Sequence, residues 1–143
     1  MQDARSTRRD AGLKMKSKSY NDLEIYLLAK ELAVNVHKMS LEKLPKFELY
    51  ETGSQIKRSS KSIVSTIVEG YGRRRYKNDF VLFLTYAIAS CDETKSHIQM
   101  LSETGSLKRD VAEDLHKRYS ELGAKLYNFR AAVIKNHRSS RED

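Results

Sequence analysis

The sequence predicts an all-α protein, an antiparallel up-down-up-down four-helix bundle preceded by a disordered basic leader. Residues that break helices are sparse, because the 143 residues contain one proline and six glycines. Apolar residues also recur at helical spacing along four long stretches of the chain. A chain of this length suits a single domain with one hydrophobic core, which we place at residues 19–137.

The first helix is predicted at residues 21–39 and the second at residues 48–71, with Pro45 between them. Ser19 or Asn21 is available to cap the first helix. Apolar residues lie on two sides of this helix, which is one side more than a bundle core requires. These sides are the stripe Ile25, Leu28, Leu32, Val36 and Met39 and the opposite group Leu23, Leu27 and Val34.

The second helix is followed by two glycines within the stretch IVEGYGRRRYKNDF. A glycine-rich phosphate loop needs a strand before its glycines, and no strand is predicted there. We therefore expect Gly70 and Gly72 to end the helix by letting the backbone reach positive φ. The core side of this helix is predicted to comprise Ile56, Ser60, Ile63, Ile67 and Tyr71.

The third helix is predicted at residues 78–104, with Asn78 as its cap and Gly105 as its stop. Its first half is apolar nearly all round, so we expect it to be buried on more than one side. Its predicted core stripe is Phe80, Phe83, Leu84, Ala87, Cys91, Ile98 and Leu101.

The fourth helix is predicted at residues 108–137, where apolar residues repeat in sevens as at a bundle seam. The repeats are Val111, Leu115, Leu122 and Phe129 with Tyr119, Leu126 and Val133. Short links between the four helices predict antiparallel neighbours. The surplus apolar surface on the first and third helices predicts self-association.

Part of the formal charge of +8 lies at the amino-terminal end. Residues 1–18 hold six Lys or Arg against two Asp and lack apolar periodicity, so they are predicted to be a disordered basic leader. Residues 138–143 are predicted to be a disordered tail. Translation could start at Met1 or at Met15, since both leave the predicted bundle whole.

A second positive excess lies inside the bundle, where residues 54–77 hold seven Lys or Arg and one acid, Glu69. Cations next to an aromatic ring are typical of nucleic-acid contacts, with charges for phosphates and the ring for a base. The alternatives are a solvated loop or an interface cluster of ion pairs. The candidate nucleic-acid-binding residues are Lys57, Arg58, Lys61, Arg73, Arg74, Arg75, Tyr76 and Lys77.

Little in the sequence indicates catalysis, a metal or a cofactor. Its one Glu-x-x-His pair, Glu113 with His116, is predicted to face away from the core, and no nucleophile motif is present. No apolar stretch is long enough to span a bilayer. With a single cysteine, Cys91, which we expect to be a buried thiol, these features predict a cytoplasmic, non-enzymatic protein without a membrane partner.

Three segments, YNDLEIYLLAKELA, SQIKRSSKSIVSTIVEGYGRRRYKNDFVLFLTYAIASCDET and ETGSL, resemble a bacterial four-helix-bundle family. That family was first named for proteins encoded in intervening sequences of 23S ribosomal RNA genes. The resemblance covers about residues 19–137. Its most specific part is the order R-S-x-x-SI, EG-[YF]-GR and F-x-x-FL. Many members carry a proline in the second helix, where this chain reads Ser-Ile-Val-Ser at residues 62–65.

The resemblance implies a homopentameric bundle, often labelled a ribosomal protein, without enzymatic activity. It also implies similarity to the accessory variability protein of diversity-generating retroelements, which binds reverse transcriptase and nucleic acid. No binding residue is carried over from the family. Two functions are expected from the sequence: binding of RNA or DNA, with structured RNA or an RNA–protein complex favoured, or a protein scaffold whose basic face docks an acidic partner or a reverse transcriptase.

Overall fold

The computed structural model describes residues 19–136, in which all regular structure is helical. The predicted leader and tail lie outside the described residues. Short 3-10 helices at Tyr20–Asp22 and Lys46–Tyr50 precede the first and second long helices. The long helices are α1 (Glu24–Glu42), α2 (Thr52–Gly72), α3 (Lys77–Glu103) and α4 (Arg109–Asn136). The all-α, four-helix prediction is confirmed.

Polar contacts between neighbouring helices show that they run antiparallel. Glu24, at the start of α1, forms an ion pair with Lys125 of α4. Glu31, later in α1, pairs with Arg118, which comes earlier in α4. Hydrogen bonds show the same reversed order between α2 and α3, where Ser59 bonds to Thr94 and Ser62 to Ser90. Between α3 and α4, Thr85 bonds to Arg130 and Cys91 to Tyr119.

The core lies where the predicted stripes of the four helices meet, and most of their members are buried. Leu28, Val111 and Phe129 are partly buried and pack against the core, whereas two other residues differ from the prediction. Leu23, predicted on the outer side of the first helix, is buried because it ends the 3-10 turn before α1 and its side chain joins the core. Phe83, predicted in the core, is only partly buried and covers Gly70 on α2.

The glycines at the end of α2 do not act as predicted. The helix continues through Gly72, and the only glycine with positive φ among the described residues is Gly105, at φ 84°, just after α3. A Cβ on Gly70 would lie 3.0 Å from the Cβ of Phe83, so Gly70 serves the close approach of α2 and α3. The predicted stop at Gly105 is confirmed, whereas the positive φ predicted for Gly70 and Gly72 is wrong.

Two predicted helix starts and one predicted cap are also wrong. The first helix begins at Glu24 instead of residue 21, because residues 20–22 form a 3-10 turn, and it continues to Glu42 instead of residue 39. The second helix begins at Thr52 instead of residue 48, because residues 46–50 form a 3-10 turn closed by the Glu51 N–H donating to the Glu48 carbonyl. The third helix begins at Lys77, and Asn78 lies inside its first turn and does not cap it. Ser19 caps the 3-10 turn before α1, accepting from the Asn21 N–H at 3.0 Å.

Cys91 is fully buried, and its thiol donates to the Tyr119 carbonyl oxygen at 3.3 Å. Burial is the main cause that raises the pKa of this thiol from 9.0 to about 11. We therefore expect no reaction of native protein with a disulfide reagent at pH 8, and stoichiometric reaction after unfolding in guanidinium. Rapid labelling of the native protein, absent in a Cys91→Ala control, would contradict this. Because the pKa is raised, the stability linked to this thiol should be lost as pH rises from about 9 to 11.

None of the helices in residues 19–136 has the length and apolar character needed to cross a bilayer.

Candidate nucleic-acid interface

The eight candidate residues divide into two groups that α2 holds apart. Lys57, Arg58 and Lys61 lie in the first half of α2, whereas residues 73–77 lie beyond its end. With a rise of 1.5 Å per residue, Lys61 and Arg73 are separated by about 18 Å along the helix axis. The candidates therefore extend from the first half of α2 to the α2–α3 loop and do not form a compact pocket.

Arg73 ties the end of α2 to the first turn of α3. Its Nε and Nη2 atoms lie 2.9 and 2.8 Å from Glu69 Oε2, and its Nη1 lies 3.3 Å from Asp79 Oδ2. Its guanidinium also lies 4.9 Å from the Phe83 ring centroid. The hydrogen bond to Glu69 is the largest cause that raises the pKa of Arg73. Two carboxylates thus compensate the charge of Arg73, and the side chain links the end of α2 to the start of α3.

Arg74 and Arg75 both lie against tyrosine rings. The Arg74 guanidinium lies 4.0 Å from the Tyr71 ring centroid, and its Nη1 donates to the Tyr71 carbonyl oxygen at 2.9 Å. Burial is the largest cause that raises the pKa of Tyr71, and the charge of Arg74 opposes that shift. Arg75 lies 5.8 Å from the centroid of Tyr76, which is exposed. The Arg75 guanidinium therefore already occupies part of the space beside the Tyr76 ring.

Lys57, Arg58 and Lys61 have no carboxylate partner within residues 19–136, and neither does Lys77. Arg58 and Lys61 are exposed, and Lys57 is half-buried. The only acid in α2 is Glu69, which is engaged by Arg73. The positive charge of the first half of α2 is therefore uncompensated by any ion pair in the described chain.

Two of the three acids of α1, Glu24 and Glu31, do not offset this charge, because they face the other way. Glu24 and Glu31 form ion pairs with α4, on the side of α1 remote from α2. On the α2 side, Tyr26 is buried and Lys30 follows it by one helical turn, with its Nζ 5.9 Å from the Tyr26 ring. Lys30 thus adds a cation that sequence reasoning missed, although its spacing from Tyr26 could have indicated it.

We define the basic surface as Lys30, Lys57, Arg58, Lys61 and Lys77, which have no carboxylate partner in the described part of the chain.

The Glu-x-x-His pair lies away from the basic surface. Glu113 is exposed and His116 is half-buried, and both line an open cavity of about 360 Å³ between α3 and α4. Arg109 and Lys117 line the same cavity. No third metal-ligating side chain joins the pair among the described residues. The lining holds two carboxylates, Glu103 and Glu113, against these two cations, and this balance does not favour a divalent ion.

Residues 21–128, well over half of the chain, match the sequence model of the 23S rRNA-intervening sequence protein family. The chain belongs to this family. The deciding match spans α1 to α3 and most of α4, so it includes every residue of the basic surface. The resemblance noted in the sequence is thereby confirmed, while the family description itself names no binding residue.

One solved structure shows the same fold as this family member. It is the crystal structure of a protein with unknown function from the S23 ribosomal protein family of Bacteroides thetaiotaomicron VPI-5482. The two chains are 23% identical, with a TM-score of 0.65, over 75% of this chain and 95% of the other. Among curated proteins no match was found.

Proposed function

We propose that this protein is a non-enzymatic homo-oligomer that acts in the cytoplasm and binds nucleic acid through the basic surface, with structured RNA or an RNA–protein complex as the favoured target. The observation that carries the proposal is the absence of carboxylate partners for Lys57, Arg58 and Lys61 within the described residues. Cations that are not engaged within their own protein can neutralise phosphates and release counterions from the nucleic acid.

Exposed apolar surface supports the homo-oligomer. On α3, Leu82 is 44% exposed and Tyr86 and Ala89 lie beside it on the outer face. On α4, Tyr127 and Ile134 are exposed at a spacing of one heptad. These residues lie outside the core of a single bundle, and a second copy of the chain would remove them from water. A homopentamer, which the family resemblance implies, would also repeat the basic surface around a ring.

A charge-removal variant tests the nucleic-acid proposal. In Lys57→Gln/Arg58→Gln/Lys61→Gln, RNA affinity at physiological salt should fall, because up to three phosphate contacts per subunit are lost. The slope of log affinity against log salt should become shallower by roughly 0.7 to 0.9 for each lost contact. Fluorescence anisotropy of a labelled structured RNA over a salt series measures both quantities.

The matched control removes the same charge from the opposite side of the bundle. Lys108, Lys117 and Lys135 are exposed on or just before α4, and their replacement by glutamine changes net charge equally. This variant should keep a nearly wild-type slope. Equal slopes for the wild type and both variants would overturn the basic surface as the binding site. Equal losses in both variants would indicate attraction by net charge alone.

A protein-docking role is the second candidate, and the ordered arginines of the α2–α3 loop favour it. Arg74 and Arg75 lie against tyrosine rings, and arginine and tyrosine side chains are common in the energetically dominant parts of protein interfaces. An acidic partner or a reverse transcriptase fits such a surface. If RNA binding is absent, replacing Arg75 with glutamate should abolish capture of an acidic partner while helix content is unchanged.

A further inference from the structure

We infer that Phe47 and Tyr50 form a stacking site for unpaired bases of single-stranded nucleic acid, at the end of the bundle where α1 connects to α2. This inference rests on the proposed nucleic-acid function and extends it to a ligand class and a second set of residues. Tyr50 is 87% exposed and Phe47 is 60% exposed, more than any other large apolar side chain among the described residues.

The two rings lie on the same side of the 3-10 helix Lys46–Tyr50. Residues three apart align in a helix with three residues per turn, so Phe47 and Tyr50 both face solvent while Glu48 faces the bundle. Neither ring contacts another ring or a cation in residues 19–136. Both rings therefore present exposed surface that no ring or cation of these residues occupies, unlike Tyr76, which Arg75 approaches.

The segment that carries these rings is held firmly by a buried carboxylate. Glu48 is 5% exposed, and its Oε2 accepts a hydrogen bond from the Ser106 hydroxyl at 2.6 Å. Its Oε1 accepts from the Thr52 N–H at 3.1 Å, and its own N–H donates to the Pro45 carbonyl. The turn is thus fixed both to the start of α2 and to the α3–α4 connection. A rigid platform presents its rings to a base at a low cost in entropy.

The connection that carries the aromatic pair has balanced charge, and the positive excess begins beyond it on α2. Lys43 and Lys46 lie on the preceding connection and are exposed, and Glu42 and Glu51 are the exposed acids beside them. Along α2, Lys57 lies about 8 Å from Thr52, so the basic surface begins within a few nucleotides of the rings. Aromatic rings beside a positively charged track are typical of sites for single-stranded nucleic acid. Paired bases inside a duplex are stacked on both faces, which distinguishes this ligand from duplex RNA.

The test compares a fluorescein-labelled 12-nucleotide oligo(U) RNA with a 12-base-pair RNA duplex. In Phe47→Ala/Tyr50→Ala, affinity for oligo(U) should fall by at least about tenfold, because each lost base stack is worth about 5- to 150-fold. Affinity for the duplex should change by less than about twofold. The variant Phe47→Trp/Tyr50→Trp should bind oligo(U) about as tightly as the wild type does, since tryptophan also offers a stacking face. Leu41→Ala, which removes a nearby exposed aliphatic side chain, is the matched control and should bind as the wild type does.

The outcomes separate this inference from the function on which it rests. If the wild type binds neither RNA, both fail. If binding depends on Lys57, Arg58 and Lys61 but is the same in Phe47→Ala/Tyr50→Ala, the stacking site alone is overturned. Equal losses for oligo(U) and duplex, accompanied by a changed sedimentation coefficient, would assign the rings to a contact between copies of the chain, and that also overturns the inference. Circular dichroism checks that each variant folds.

Discussion

Replacing Leu82 with glutamate should dissociate the proposed oligomer into folded monomers. Leu82 is 44% exposed on α3, beside Tyr86 and Ala89, so glutamate is tolerated in an isolated bundle. In an assembly that covers this surface, an unpaired carboxylate would lose its hydration at a cost of several kcal/mol per contact. A cost of about 3 kcal/mol already weakens an association more than a hundredfold. Sedimentation velocity at micromolar concentration measures the change in mass.

Two further variants control for the added charge and for damage to the core. Gln99→Glu places the same charge at an exposed position near the other end of α3 and should leave the mass unchanged. Ile88→Glu should instead unfold the chain, because Ile88 is packed against the core and is not free on the surface. A wild type that sediments as a monomer would contradict self-association, and an unchanged mass for Leu82→Glu would place the contact elsewhere.

The four helices could be predicted because each has a long apolar stripe whose period matches the helix. Burial of that stripe dominates the energetics, so Ile56, Ile63 and Ile67 on α2 or Leu122 and Leu126 on α4 face the core as their spacing requires. Helix starts depend on a few local hydrogen bonds and were less predictable. The start of α2 follows from Glu48, whose partner Ser106 is distant in sequence.

The candidate site shows a similar division. A local excess of positive charge identified Lys57, Arg58 and Lys61, because charge can be counted directly from sequence. The involvement of Arg73 in two ion pairs was not anticipated, although its spacing of four residues from Glu69 is typical of a helical salt bridge. The sign of the net charge in a cluster can be predicted from composition. How many of its cations form ion pairs within the fold depends on the three-dimensional geometry.

The aromatic pair at the α1–α2 connection was missed for a related reason. Phe47, Leu49 and Tyr50 follow Pro45 in the stretch KFELY, where apolar side chains suggest the beginning of a buried helix. The structure instead buries the charged Glu48 and exposes Phe47 and Tyr50. Such an inversion is stable only because Thr52 and Ser106 donate hydrogen bonds to the carboxylate.

Gly53→Ala should destabilise the fold strongly, although alanine is the better helix former. A Cβ on Gly53 would overlap the backbone carbonyl oxygen of Glu48, and the Glu48 side chain is fixed at both carboxylate oxygens. Such overpacking costs roughly 1 to 3 kcal/mol or more, since a fixed backbone cannot give way as a flexible side chain would. The gain in helix propensity, about 1 kcal/mol, is smaller. We expect the free energy of unfolding to fall by about 1 to 2 kcal/mol, measured by chemical denaturation at fixed protein concentration.

Gly72→Ala is the matched control, because it makes the same substitution in the same helix without the overlap. A Cβ on Gly72 would meet no atom within 4 Å, and its φ is not in the positive region. The free energy of unfolding of this variant should rise by about 0.4 to 1 kcal/mol, since alanine leaves the unfolded chain fewer conformations. Opposite signs for the two variants would show that contact with Glu48, and not helix propensity, decides the effect at Gly53. A stabilising Gly53→Ala would show that the 3-10 turn moves freely, and the rigid support inferred for Phe47 and Tyr50 would then be lost.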